Sequence, residues 1–344
     1  VIKQIKSLFR EKTGEFEKWL EKGILADKTL DYQIVLGPVK SARFGNVLEV
    51  NNVNKKICSY NCVYCPLGKT NCCSSAQCCY LSPYELHLLV RHKLETIRKN
   101  GEEIDYIVFA GSGEPTLDTG LSKEILLLRD LGYKIAVLTN ASLLWNDNVQ
   151  ENLMFADCVS IKIDTANEEA WSKISKPHPR LNYELILDGI KSFAKNYHGI
   201  IKSETTLVKN MNDTRDEMLA LAEFLNPLKL NSSYFVKPKY PPGSCCSIIP
   251  DEDILNYLED IVSENINNSI ILFDRKAEEV SFTEDFENEL LGMLSVQPVE
   301  LEAVENSIKQ INCFEKLKLM IKNKKIRVME YNGSSILINN LPAV

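Results

Sequence analysis

A chain of 344 residues that is 44% hydrophobic and 25% charged can bury one large core with a small appendage, and is too apolar to be disordered. Its formal net charge of −7 excludes a uniformly basic nucleic-acid surface, and no apolar run approaches the roughly 18 to 20 residues that cross a bilayer. The opening VIKQIKSLFREKTGEFEKWLEKG intersperses charges where a signal peptide is apolar, so a cytoplasmic protein without a membrane partner is expected.

Residues 1–34 are expected to form an N-terminal helical extension, with Ile2, Ile5, Leu8, Phe9, Phe16, Trp19 and Leu20 at mostly helical spacing. From 35 to 250 the pattern alternates. Strands are expected at 46–53, 105–113, 134–140, 158–165, 200–208 and 231–238, and helices at 83–101, 120–131, 146–154, 183–197 and 214–225. Alternation at this period predicts an α/β fold of about six right-handed βα units on a parallel sheet. Six units fall short of a closed eight-stranded barrel, so the expected fold is a partial (β/α)6 barrel with its chemistry at the C-terminal strand ends. Residues 251–283 read as an acidic helical linker. Residues 284–344 carry three short helical stretches and a hairpin signal at Asn332-Gly333, which together predict a small winged-helix-like domain. That domain reads equally as a cap on the barrel or, through Lys316, Lys318, Lys322, Lys324, Lys325 and Arg327, as a contact for RNA.

Seven of the 11 cysteines fall between 58 and 79. Cys58, Cys62 and Cys65 are spaced C-x3-C-x2-C, and thiolates are the ligands of iron–sulfur clusters and of structural zinc. Three cysteines leave one corner of a four-iron cluster open; a closed zinc site would need a fourth ligand such as Cys72, Cys73 or His87. The context favours the cluster. The cysteines follow the first strand of this alternating region, Tyr64 precedes the third, and the glycine turn GSGEPT ends the next strand.

With an aromatic residue before its last cysteine, this motif resembles the signature of the radical S-adenosylmethionine (radical SAM) superfamily, and FAGSGEPTLD resembles its second-strand motif. The segments GPVKSARFGNVLEVNN, KKICSYNCVYCPLGKT, VSIKIDT, ISKPHP and LVKNMNDT, in order between residues 37 and 213, resemble the iron–sulfur oxidoreductase group related to wyosine-type tRNA base synthetases. The resemblance implies that Cys58, Cys62 and Cys65 hold a [4Fe-4S] cluster whose open iron is chelated by S-adenosylmethionine. One electron, from a donor of the ferredoxin or flavodoxin type, would cleave the sulfonium and give a 5′-deoxyadenosyl radical that abstracts hydrogen from a substrate. The same resemblance places Gly111, Ser112, Gly113 and Glu114 beside the methionine moiety, with Glu114 accepting from its ammonium group. Asn140 is a candidate polar contact. Lys162 and Asp164 share one strand face by their two-residue spacing and are candidate catalytic residues, or contacts to cofactor or substrate. Glu204 and Thr206 form a similar pair, and Leu207 with Val208 would pack against adenine. His178 in KPHP is a modest further candidate.

Two readings stay open for the vicinal pairs Cys72 with Cys73, Cys78 with Cys79, and Cys245 with Cys246: a second, auxiliary iron–sulfur cluster, or a variable surface insert. Cys158 and Cys313 read as small buried hydrophobes. A radical SAM enzyme acting on a tRNA base is the leading expectation. The alternatives are a radical SAM enzyme acting on a small molecule or peptide, and a zinc-bound nucleic-acid-binding module without catalysis.

Overall fold

The computed structural model describes residues 34–53, 56–241, 249–273, 279–283, 285–309 and 311–340. Residues 1–33 of the expected N-terminal extension, and the pair Cys245 and Cys246, lie outside the described residues. A hairpin comes first, β1 (Val35–Ser41) antiparallel to β2 (Gly45–Val50). Two very short strands, β3 (Ile57–Cys58) and β4 (Cys72–Cys73), pair with each other in parallel. Then follow α1 (Pro83–Lys99), β5 (Tyr106–Phe109), α2 (Leu121–Arg129), β6 (Lys134–Thr139), α3 (Asp147–Leu153), β7 (Cys158–Lys162), α4 (Glu168–Ser175), α5 (Tyr183–Asn196), β8 (Ile200–Thr206), α6 (Arg215–Leu225), β9 (Ser232–Val236), α7 (Glu252–Asn265) and β10 (Ser269–Leu272). Helix starts are set locally. Asn167, Asn182 and Thr214 accept from the backbone N–H of Ala170, Leu185 and Glu217, closing donors that α4, α5 and α6 would otherwise leave open.

The main sheet has the order β1-β2-β5-β6-β7-β8-β9-β10, parallel throughout except for β1. Consecutive parallel strands that stay neighbours are the mark of a singly wound barrel, here open. Two differences from expectation stand out. The segment 251–283, read as a linker, contributes α7 and the parallel strand β10 to the main sheet. Its four-residue strand is too short to show an alternating pattern. Helix α4 was also missed, being only eight residues long.

Side chains alternate across each strand, so the sheet has two apolar faces. Val50, Ile107, Phe109, Val137, Val159 and Ile161 face the helices and pack with Leu86, Ile125 and Phe193. On the other face Val47, Val108, Ala136 and Cys158, toward the N-terminal ends of their strands, pack with Phe44 of the hairpin turn and with the C-terminal elements. These elements are α8 (Phe286–Val296), β11 (Val299–Glu300), α9 (Leu301–Ile308), α10 (Phe314–Lys322), β12 (Ile326–Tyr331) and β13 (Ser334–Asn339). Three helices followed by a two-stranded wing joined at Asn332-Gly333 match the expected order, while the short strand β11, in residues read as helical, pairs with β13. Phe286, Leu290 and Val304 belong to the same core as the inner face of the sheet, so this region caps that face. Burying Phe286 completely contributes on the order of 2–3 kcal/mol. No helix among the described residues is long and apolar enough to cross a membrane.

Candidate active site

The cysteine loop leaves β3 at Cys58 and is pinned at its middle. Asn61 and Val63 donate backbone bonds to the carbonyls of Ser175 and Ile174 at the end of α4, and Thr70 closes the loop by donating to Asn61 Oδ1. Two successive tight turns, Cys65 N–H to the Cys62 carbonyl and Gly68 N–H to the Cys65 carbonyl, bring the second and third cysteines round. Cys58, Cys62 and Cys65 are free and half-buried. Burial, with Glu114 next, pushes the Cys58 thiol up to about 12, and burial together with Cys58 holds Cys62 well above the usual thiol range. Among the described residues no three ligating side chains converge on a single ion. A multi-iron cluster takes one thiolate per iron and needs no such convergence.

The glycine turn after β5 docks this loop. Gly111 has φ +154°, and a Cβ there would meet Asn51 Oδ1 at 2.3 Å, the atom that accepts from the Ser112 N–H. At Gly113 a Cβ would meet the Ile57 carbonyl at 2.4 Å, so the strand leading into the cysteines lies directly on the turn. Glu114 is buried, and its carboxylate accepts from Thr116 N–H, Thr116 Oγ1 and Thr139 Oγ1 at Oε1 and from Asn140 N–H at Oε2. It therefore clamps the turn to the end of β6, and Oε2, with one donor, keeps room to accept another. Asn140 reaches the cysteine loop, its amide donating to Ser59 Oγ at 2.9 Å and to Cys58 Sγ at 3.5 Å.

Lys162 and Glu204 are register partners on β7 and β8, and their ion pair measures 2.8 Å. Lys162 Nζ also donates to Thr206 Oγ1 at 2.7 Å and lies 4.7 Å from the ring centroid of Tyr64. Burial alone would lower its pKa, but Glu204 and Asp164 outweigh it, so Lys162 is held above its usual range as a cation. Asp164 accepts from Tyr64 Oη and, at 2.8 Å, from the Thr206 N–H. Burial raises its carboxyl against the opposing pull of Lys162. Leu207 is a correction: it turns into the layer between sheet and helices, away from the loop. Its neighbour Val208 packs instead with Val63, Tyr64 and Ile174. Strand alternation, counted from Thr206, gives that assignment.

Three contributors were missed. Arg43 bonds Glu204 from the hairpin turn. Asn212 donates to the carbonyls of Asp164 and Thr206 and accepts from Val208 N–H, holding the ends of β7 and β8 together. Lys56, two residues before Cys58, is 5% exposed, and among the described residues its Nζ has no hydrogen-bond partner. A buried ammonium is costly without an anion, and a cluster held by three thiolates carries negative charge, so the residues present fit such a group. His178 stands at the insert, its Nδ1 3.2 Å from Ser75 Oγ. Cys72, Cys73, Cys78 and Cys79 are free and exposed, and the insert that carries them is tied to the turn after Glu114 through Cys78 and Thr119. Cys158 and Cys313 are buried, as expected.

The chain is similar to known proteins over the region that carries this site. The sequence description of the radical SAM superfamily matches residues 55–225. The chain is 33% identical over 311 residues to a UPF0026 protein of Methanocaldococcus jannaschii, covering 90% of this chain and 96% of that one. It is 28% identical to a protein of Brachyspira hyodysenteriae named GTPase Obg, over 87% of this chain but 44% of that protein. Among solved structures, a radical SAM methyltransferase from Sphaerobacter thermophilus superposes with a TM-score of 0.53 at 16% identity, over 67% of each chain, a likeness of fold.

Proposed function

The chain belongs to the UPF0026 family and is a radical SAM enzyme, and from that premise we propose that Cys58, Cys62 and Cys65 hold a [4Fe-4S] cluster at which S-adenosylmethionine is bound and cleaved, with a tRNA base as substrate. When bound, such a cluster supplies the electron that splits the sulfonium and so starts hydrogen abstraction. The chain's own residues bind, orient and exclude water. Asn140 donates to Cys58 Sγ and so stabilises a thiolate there. Lys56 supplies a buried positive charge beside the loop. Gly111 to Gly113 offer backbone to the methionine moiety, with Glu114 holding that backbone in place. Lys162 and Asp164, which meet Tyr64 of the loop, and Glu204 and Thr206, which bond Lys162, are the candidate contacts to cofactor and substrate. Val208 is the candidate apolar contact for adenine. The tRNA substrate rests on the sequence motifs alone. An electron donor of the ferredoxin or flavodoxin type completes the system.

One observation carries the reading: three free, half-buried cysteines on one loop, beside an asparagine donor and a buried lysine that has no hydrogen-bond partner among the described residues. The test is iron and acid-labile sulfide in anaerobically purified protein, with electron paramagnetic resonance before and after dithionite and SAM. About four irons with a SAM-perturbed signal are expected, lost on changing any one of the three cysteines to serine. About eight irons would add an auxiliary cluster on the vicinal cysteines. Zinc without iron after anaerobic reconstitution overturns the proposal.

A further inference from the structure

Arg43 lies at the turn between β1 and β2, and β2 is four strands along the sheet from β8, yet its Nη1 bonds to Glu204 Oε2. The turn can reach because it folds over the inner face. Phe44 is buried there with Val108, Ala136 and Cys158, and the Arg43 carbonyl accepts from Lys202 Nζ at 2.7 Å. Glu204 gives its other oxygen to Lys162 at 2.8 Å, and the side chains of Arg43, Glu204 and Lys162 are only 14%, 15% and 25% exposed. Lys162 then lies against the Tyr64 ring, and the Tyr64 hydroxyl bonds Asp164. Tyr64 sits between Cys62 and Cys65, so a continuous line of charged and polar groups runs from the hairpin to the cysteine loop.

Glu204 stands between two cations, Arg43 and Lys162, and Asp164 lies on the far side of Tyr64 from it along this line. Removing Arg43 leaves Glu204 one charge-assisted bond short inside a site where such bonds are strong and their loss is costly. Two relaxations are open. Lys162 moves toward Glu204 and off the Tyr64 ring, or Glu204 takes up a proton and releases Lys162. Either one shifts a positive charge next to the cysteine loop.

We propose that Arg43 is a positioning residue of the active site, which acts through Glu204 to fix the Lys162 ammonium beneath Tyr64 and the cysteine loop. It touches neither cofactor nor substrate. This rests on the reading of the loop as the cluster site.

The test uses the full chain, anaerobically reconstituted, as wild type, Arg43→Gln, Arg43→Lys, Glu204→Gln and the double variant Arg43→Gln/Glu204→Gln. Iron content, thermal unfolding, the resonance spectrum of the reduced cluster with and without SAM, and the SAM dissociation constant are measured on each. Arg43→Gln is expected to fold and keep its iron, while its SAM-bound spectrum changes and its SAM binding weakens roughly tenfold, the size of a typical coupling between linked sites. Arg43→Lys should recover part of the loss. The double variant, neutral again at this pair, should bind SAM more tightly than Arg43→Gln alone, a non-additive result. A wild-type spectrum and dissociation constant in Arg43→Gln, even with a lowered melting temperature, overturns the proposal. If Arg43→Gln does not fold, Glu204→Gln decides, because it removes the carboxylate through which Arg43 acts. An unchanged spectrum and SAM affinity there overturns the proposal equally. Wild-type protein that takes up no iron sinks the reading of the loop instead.

Discussion

Glu114 shows how a residue legible by motif acquires a role that the motif does not state. GSGE marks a tight turn at a strand end, and the chain indeed makes one there, but the direction of the carboxylate is set by Thr139 and Asn140, some 25 positions on. Glu114→Gln replaces an acceptor oxygen by a donor that faces other donors. It is expected to destabilise the protein by about 1–3 kcal/mol and to lower iron retention, checked by urea unfolding and iron analysis on the same preparation. Asp118, four residues further, tests the electrostatics of the same turn. It is fully buried, and burial pushes its carboxyl from 3.8 to about 6. The folded state holds this proton more tightly than the unfolded chain, so the stability it contributes is complete below 3.8 and is lost as pH rises through about 6. In Asp118→Asn the difference from wild type should therefore change across roughly pH 4 to 7 and level off above. Parallel stability curves would refute the assignment. The cysteine triad was legible because its ligands are local in sequence. Arg43 and Asn212 were not, since each acts on β7 or β8 only after the sheet has assembled.

At the scale of elements, the long helices and central strands were readable because apolar periodicity and asparagine or threonine caps are written in the chain itself. Of the elements missed, α4 has eight residues and β10 four, while β1 has seven but is interrupted by Gly37-Pro38, where its register shifts between Leu36 and Val39. Short elements carry too few periods to register, and sheet pairing rather than propensity decides them. The C-terminal elements give a sharper case. Their helices and wing were expected, but whether they stand alone or cap the barrel depends on what their apolar faces meet. Phe286 is fully buried, packs edge-on to Phe282 with centroids 5.1 Å apart, and shares its core with the sheet. Phe286→Ala should cost about 3–5 kcal/mol and destabilise the whole chain in one cooperative transition. Two separate transitions, with only the smaller one shifted, would show an independent domain.

For the whole molecule, the basic residues near the C-terminus bear on the substrate. Lys316, Lys318, Lys322, Lys324, Lys325 and Arg327 are all exposed, with Lys318 paired to Glu315 and Lys325 to Glu287. If tRNA is the substrate, the chain should bind bulk tRNA with an affinity that falls steeply with salt, and Lys322→Glu/Lys324→Glu/Arg327→Glu should weaken binding and flatten that dependence. Binding that ignores both salt and these changes would favour a small molecule or peptide. The alternation of strands and helices, the cysteine spacing and the glycine turn are legible in the chain alone, because periodicity, ligand spacing and turn chemistry are local properties. It takes the assembled fold to join Glu114 to Thr139 and Asn140, to turn Leu207 to the helices and Val208 to the loop, to add β10 to the sheet and to bring Arg43 to Glu204. Those outcomes depend on which distant groups meet once the sheet curves and its inner face is capped, and contacts of that kind leave no periodic trace in the chain.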